Sequence, residues 1–161
     1  MAMLIHPLPP VFDSGSENLV LGSFPSVRSR EIGFYYGNER NRFWAVLSRI
    51  FHAEEPKTKE EKTSLVLDNR LALWDVVKSC NIVGSADASI KDVLSNDIAS
   101  LIAKTNITKI FVNGKTAAAL YDKHVFPSVG IRAVVLPSTS PANAAFTMEK
   151  LVERWKILAA L

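Results

Sequence analysis

The sequence is poor in the residue types that form disulfides and hold metal ions. Its 161 residues include one cysteine, Cys80, so no disulfide can form within the chain and a reducing compartment is expected. The three histidines, His6, His52 and His124, lie far apart and match no metal-ligand spacing. Each is predicted to be a surface or loop histidine, and neither a metal nor a cofactor is expected.

Long apolar runs are also missing. No stretch of about 18 apolar residues occurs, so the sequence predicts no membrane-spanning helix. The first ten residues carry prolines where a signal peptide needs an apolar segment, and they lack a basic start. We therefore expect a cytoplasmic protein that does not engage a membrane.

Two motifs that depend on glycine are absent. The segment Gly22-Ser23-Phe24-Pro25-Ser26 has neither the G-x-G-x-x-G nor the G-x-x-x-x-G-K-S/T spacing, which disfavours a nucleotide cofactor. No G-x-S-x-G turn occurs either, so a serine hydrolase is poorly supported.

The bulk composition is that of an ordinary globular protein. Hydrophobic residues make up 48% of the chain and charged residues 22%, and the length suits a single domain over residues 1–161. The net charge of +3 is compatible with nucleic-acid binding but does not require it.

Strand-like and helix-like segments alternate along the chain. Short apolar runs predict strands over residues 18–22, 71–77, 108–114 and 131–136. Helices are predicted over residues 41–51, 58–69, 116–121 and from Ser140-Pro141 onward, with a further turn and helix within 89–104. Thr58 and Glu61 predict a capping box at the start of the second of these helices. This order predicts an α/β fold: a four-stranded parallel sheet with helices on both faces.

Polar side chains follow each of the four predicted strands. In a parallel sheet the loops after the strands emerge at one edge, where ligands bind. We therefore expect the stretch after Ser23 to meet Asp75, Asn113 and the segment 138–143.

The densest cluster of unusual residues is the stretch 33–44, which reads G-F-Y-Y-G-N-E-R-N-R-F-W. Aromatic rings supply stacking surfaces, an amide supplies a donor beside an acceptor, and arginines suit phosphate. Phe43 and Trp44 fit the apolar face of the following helix. The rest of the stretch predicts the wall of a pocket.

The segment from Ser138 to Asn143 is small and rich in hydroxyl groups, and it precedes the predicted last helix. Hydroxyls, backbone amides and a helix dipole together favour a phosphate, whereas the simpler interpretation is a helix cap. The aromatic stretch beside it favours the phosphate interpretation.

Four motifs carry a resemblance to a known family. They are G-S-F-P-S at 22–26, G-F-Y-Y-G-N-E-R-N-R-F-W at 33–44, W-D-V-V at 74–77 and L-P-S-T-S-P-A-N at 136–143. Their order resembles the uracil-DNA glycosylase superfamily, and within it the hypoxanthine-DNA (deoxyinosine) glycosylase branch, over roughly residues 18–155.

The resemblance implies a three-layer α/β/α sandwich and a monofunctional glycosylase that flips a deaminated nucleotide out of DNA. The segments 22–26 and 33–44 resemble the first motif region of the superfamily, and 137–143 resembles the loop that enters the minor groove. The resemblance therefore implies DNA contacts for Ser138, Ser140, Pro141 and Asn143. The partner is then double- or single-stranded DNA with a deaminated base, and a monomer is expected.

Phe24, which we predict to contact the substrate, departs from the mismatch-specific uracil branch, which carries a catalytic asparagine at that position of its turn. In the hypoxanthine branch the functional asparagine lies in the Y-Y-G-N block, here Asn38. The departure favours hypoxanthine as substrate, with uracil- or xanthine-directed excision as the alternative.

The residues themselves suggest roles within such a site. Asn38 is expected to orient water and to hydrogen-bond the base, whose Watson–Crick edge places an acceptor beside a donor. Asn113 is a second candidate for this contact, or simply part of a turn. Tyr36 is the candidate for stacking on the base, with Tyr35 and Phe34 as alternatives.

Other polar residues have two interpretations each. Ser23 and Ser138 would hold water or a phosphate, and Asp75 either stabilises the cationic sugar or is a structural carboxylate. Arg40 and Arg42 are predicted to contact phosphate, unless they only form a solvated helix start. No lysine is predicted in the pocket, so a Schiff-base lyase step is not expected.

Two other classes of function stay open at this point. One is a non-catalytic nucleic-acid-binding module on the same fold. The other is hydrolysis of a free nucleoside.

Overall fold

A four-stranded parallel sheet forms the centre of the computed structural model, which describes residues 3–159. The strands within these described residues are β1 Met3–Ile5, β2 Asn18–Gly22, β3 Leu71–Asp75, β4 Val77–Asn81, β5 Lys91–Ser95, β6 Lys109–Asn113 and β7 Val134–Leu136. The parallel sheet has the order β3-β2-β6-β7. Every residue of the central strand β2 is buried, as expected for a strand covered on both faces.

Helices cover both faces of this sheet. They are α1 Val27–Ile32, α2 Phe43–Ile50, α3 Lys59–Asp68, α4 Ile98–Ala103, α5 Lys115–His124, α6 Phe126–Val129 and α7 Met148–Trp155. Val20 of β2 belongs to a core with α2, α3 and α7, whereas Leu19 and Leu21 belong to a second core with α4 and α5. Successive strand residues point to opposite faces, so one strand fills both cores. The predicted α/β/α architecture is confirmed.

The capping box predicted at the start of α3 is present. The Thr58 side chain accepts a hydrogen bond from the backbone of Glu61, and the Glu61 carboxylate accepts one from Thr58. Such reciprocal bonds satisfy amides that a helix start otherwise leaves unpaired.

A second, antiparallel sheet was not predicted. It has the order β1-β4-β5, and it includes residues 3–5, for which no strand was predicted, and 91–95, which lie in the segment predicted as a turn and helix. Its strands are short, and β5 has no buried residue to mark it. The sheet becomes visible only through pairing over long sequence distances, such as Ile5 with Ser79.

The start of the last helix was predicted wrongly. Ser140-Pro141 lies in a turn, and α7 begins at Met148 with Thr147 as its N-cap. Serine before proline suits a turn as well as a helix start, so the local pattern could not separate the two. The fourth strand is also shorter than predicted, and α1 and α6 were missed.

None of the helices within residues 3–159 combines the length and apolar character that crossing a bilayer demands.

Candidate active site

A cleft of about 390 Å³ lies where the carboxyl ends of β2, β3 and β6 meet. This volume falls in the range usual for small-molecule pockets. Nine of the twelve predicted site residues line it: Ser23, Phe24, Tyr36, Asn38, Asp75, Asn113, Ser138, Ser140 and Pro141. The predicted convergence of the four loops is therefore confirmed.

Asp75, the last residue of β3, is 4% exposed and its carboxylate is paired with a histidine. Its Oδ2 lies 2.7 Å from Nε2 of His6, whose side chain is only 2% exposed. His6 lies in a loop just after β1, as predicted, but the burial of its side chain and its pairing with Asp75 were not predicted. The two partners are 69 positions apart, so no local pattern connects them.

Gly22 makes room for this carboxylate. A Cβ atom on Gly22 would lie 2.5 Å from Oδ1 of Asp75 and 3.2 Å from the hydroxyl of Tyr36. Both distances are shorter than ordinary contacts, so a larger residue would displace the carboxylate. Gly22, the first residue of the G-S-F-P-S motif, therefore allows the Asp75 and Tyr36 side chains to pack directly against the backbone of β2.

A second carboxylate, Asp87, lies across the cleft, and the Ser23 hydroxyl donates to its Oδ1 at 2.9 Å. Burial raises the pKa of Asp87, the Ser23 hydrogen bond lowers it, and the charge of Asp75 raises it further, with a net upward shift. Asp87 was not predicted, because it lies in a polar loop without distinctive spacing. The Ser23 hydroxyl, predicted to hold water or a phosphate, donates its hydrogen bond to this carboxylate.

Tyr36 is fixed by its neighbours. Its ring stacks on Phe43 with centroids 3.9 Å apart, and its backbone has a positive φ of 53°. Burial, followed by the charge of Asp75, raises the pKa of Tyr36, and the Asn113 amide partly offsets this. The hydroxyl has no hydrogen-bond partner among residues 3–159. One ring face is therefore occupied by Phe43, and stacking of a base on Tyr36 stays a prediction.

Asn113 uses its amide to join two loops. Its Nδ2 donates to Oγ1 of Thr139 at 3.0 Å, and its Oδ1 accepts from the Thr139 backbone at 3.1 Å. These two bonds occupy the amide edge on which donor and acceptor stand side by side. Asn113 therefore fastens the end of β6 to Thr139, which is fully buried and was not predicted.

Asn38 keeps more of its amide available. It lies at the edge of the cleft, and its Oδ1 accepts a hydrogen bond from the Arg40 backbone at 2.9 Å. The hydrogen bonds found within residues 3–159 leave its Nδ2 group unused. Of the two predicted amides, Asn38 is the one whose Nδ2 group makes no hydrogen bond within the described residues, so both of its hydrogens are available to the cleft.

Arg42 has a structural task within the chain, and its predicted contact with phosphate stays a prediction. Its guanidinium donates to three backbone carbonyls, those of Ser140, Asn143 and Phe146. It thereby fastens the segment 140–146 to the start of α2. Arg40, in contrast, is exposed and lines no cleft, so its contact with phosphate stays a prediction.

The segment 138–143 is ordered by its own side chains. The Ser138 hydroxyl accepts from the Ser140 backbone, the Ser140 hydroxyl from Ala142, and the Asn143 amide donates to the Ser138 carbonyl. No helix begins here, so the helix-dipole argument for phosphate does not hold. Asn143 lies in an adjoining cleft on the far side of this segment.

Comparison with known proteins agrees with this geometry. The sequence profile described as "Uracil DNA glycosylase superfamily" matches residues 9–161. The chain belongs to this superfamily. The resemblance carried by the four sequence motifs is thereby confirmed.

Two named proteins and one solved structure are similar to this chain over most of its length. A protein of Methanosarcina acetivorans named "Hypoxanthine DNA glycosylase" is 34% identical, with 92% of this chain and 94% of the relative covered. A Methanosarcina barkeri protein of the same name is 31% identical, covering 84% and 85%. A solution NMR structure of a putative uracil DNA glycosylase from M. acetivorans superposes with a TM-score of 0.79 at 31% identity, covering 97% and 99%.

Within this superfamily fold, the residues that sequence reasoning missed share one property. His6, Asp87 and Thr139 each reach the site through a partner distant in the chain, at separations of 69, 64 and 26 positions. A motif reports residues close in sequence, so no signal of that kind marks them.

Proposed function

We propose that this protein is a DNA glycosylase that removes hypoxanthine from DNA by hydrolysing the N-glycosidic bond. The observation that carries the proposal is the cleft itself, in which a buried acceptor and a free amide donor face a space of small-molecule size. The superfamily membership and the names of two relatives at 31–34% identity point the same way.

Asp75 supports recognition of a deaminated base. Deamination of adenine places an N–H beside a carbonyl, where adenine has a ring lone pair beside an amino group. An ionised carboxylate only accepts hydrogen bonds, so Asp75 suits the ring N–H and repels a ring lone pair. The alternative role, stabilising the positive sugar, would make Asp75 equally important for every lesion.

Asn38 supports the hydrolytic step. An asparagine is not basic enough to remove a proton, so we assign it to orienting water and to hydrogen-bonding the base as negative charge develops there. A base inside a duplex cannot reach such a cleft, so we also propose that the nucleotide is flipped out.

The test is excision from short duplexes that contain one inosine, uracil or xanthine, with a matched adenine duplex as control. We expect abasic sites to form fastest at inosine and not to form at adenine. Binding without abasic sites at any lesion would favour the non-catalytic module. Cleavage of free inosine nucleoside but not of DNA would favour a nucleoside hydrolase.

Asn38→Ala tests the assigned amide. We expect excision to fall about 100-fold, the cost of removing one preorganised donor, with an unchanged circular dichroism spectrum. The matched control is Asn106→Ala, since Asn106 is exposed and lies three residues before β6, at the amino ends of the strands and away from the cleft. Excision by Asn38→Ala at the wild-type rate would remove Asn38 from the site.

The remaining expectations concern the state of the protein and its substrate. We propose one cooperative domain that acts as a cytoplasmic monomer on double- or single-stranded DNA. Sedimentation and a single unfolding transition test the first part, and a comparison of inosine in single and double strands tests the second.

A further inference from the structure

The N-terminal strand delivers a histidine to the buried end of the cleft. β1 pairs with β4 in the antiparallel sheet, and the pairing continues one step further, because the His6 backbone donates to the Lys78 carbonyl at 2.7 Å. β4 begins two residues after Asp75. The second sheet thus holds the His6 ring against the end of β3.

The contacts of the His6 ring define its tautomer. Nδ1 accepts a hydrogen bond from the Leu8 backbone at 3.2 Å, so it carries the lone pair. The proton is then on Nε2, which donates to Asp75 Oδ2 at 2.7 Å. The Phe24 ring packs edge-on with its centroid 5.9 Å from that of His6, and the Tyr35 centroid lies 6.1 Å away, so two aromatic rings border the buried imidazole.

This arrangement determines what Asp75 offers to the cleft. Oδ2 is occupied by His6, and the Asn96 side chain donates to the Asp75 backbone carbonyl at 2.8 Å. Oδ1 points towards Gly22, beside the unpartnered Tyr36 hydroxyl. A carboxylate with one oxygen held cannot rotate freely, so the other oxygen keeps one direction.

We propose that His6 is a positioning residue that holds Asp75 in the orientation needed for excision. It acts through Asp75 and does not touch the substrate. The inference rests on the proposed glycosylase function and extends it to the N-terminal strand. A buried carboxylate without its donor would be unpaired, and its direction would no longer be defined.

The test compares two substitutions at His6. His6→Leu keeps apolar bulk but removes the donor, and we expect excision of hypoxanthine from inosine duplexes to fall about 10- to 100-fold, the value of a hydrogen bond to a charged group. His6→Gln places an N–H at the position of Nε2, so it should recover part of the activity. His52→Gln is the control, since His52 is exposed and outside the cleft.

A double-mutant cycle separates positioning from a merely structural role. If His6 acts through Asp75, the loss caused by His6→Leu should shrink to less than about threefold in an Asp75→Asn background, because the partner is already altered. An equal loss in both backgrounds, or no loss in either, would overturn the proposal. Single-turnover measurements and thermal unfolding accompany each variant, so that unfolded protein is not mistaken for slow chemistry.

A measurement without substrate keeps this inference distinct from the proposed function. The ¹⁵N chemical shifts of the His6 ring in the free protein should show an unprotonated Nδ1 and a protonated Nε2. A protonated Nδ1 would overturn the arrangement even in an active enzyme. If the wild type excises no lesion, the proposed function fails, and the positioning role fails with it whichever tautomer is found.

Discussion

Replacing Arg42 with methionine should destabilise the protein and loosen one wall of the cleft. The guanidinium donates to the carbonyls of Ser140, Asn143 and Phe146, so one side chain satisfies three backbone acceptors. Methionine keeps the length of the side chain but donates no hydrogen bond. The segment 140–146 would then lose its main attachment to α2.

The expected cost follows from those three bonds. At about 1 kcal/mol each for half-buried hydrogen bonds, Arg42→Met should lower the free energy of unfolding by about 3 kcal/mol. For a domain of this size that corresponds to a fall in melting temperature of roughly 6 to 12 °C. Arg42→Lys keeps the charge but cannot reach three carbonyls with one ammonium group, so an intermediate loss is expected.

Arg40 provides the matched control two positions away. Its side chain is exposed, so Arg40→Met should change stability by less than about 0.5 kcal/mol. If Arg40 contacts a DNA phosphate, the slope of log affinity against log salt should fall by about 1 in this variant. The slope for Arg42→Met should stay that of the wild type.

Urea unfolding measures the predicted loss of stability, and DNA binding at several salt concentrations measures the predicted change in salt slope. An Arg42→Met protein as stable as the wild type would show that the three carbonyl contacts contribute nothing. A reduced salt slope in Arg42→Met but not in Arg40→Met would show that Arg42, and not Arg40, contacts a DNA phosphate.

Three further substitutions test the packing of the site. Gly22→Ala should slow excision about 100-fold while the fold survives, because the new Cβ displaces the Asp75 carboxylate; wild-type kinetics would refute this. Thr139→Val should lower the free energy of unfolding by about 1–2 kcal/mol, measured in urea, since Asn113 loses its acceptor, whereas Thr139→Ser keeps the acceptor and should lose only about 0.8 kcal/mol for one buried methyl group. Asp87→Asn should be more stable than the wild type at neutral pH and equal to it below pH of about 3.9, because the raised pKa makes ionised Asp87 costly only as pH rises through that pKa. A stability gain that is independent of pH would contradict the last prediction.

Much of the architecture could be predicted from local pattern. Short apolar runs identified the strands of the parallel sheet, since a strand buried on both faces must be apolar throughout. Thr58 and Glu61 identified a helix start to the residue. Once the sheet was known to be parallel, the convergence of the loops at one edge followed from topology.

The antiparallel sheet and the last helix could not be predicted in this way. β1 and β5 are short and largely exposed, so their side chains carry no alternating pattern. The turn at Ser140-Pro141 is held by Arg42 from α2, and that contact is invisible in the local sequence.

The sequence by itself determined the fold, the family and the set of loops that form the cleft, because strand periodicity and motif order are properties of neighbouring residues. Only the tertiary structure decided which side chains are free to act. His6 hydrogen-bonds to Asp75, Thr139 hydrogen-bonds to the amide of Asn113, and Arg42 donates to backbone carbonyls of its own chain. A side chain's chemistry depends on the partners that satisfy its donors and acceptors, and folding brings those partners from distant positions.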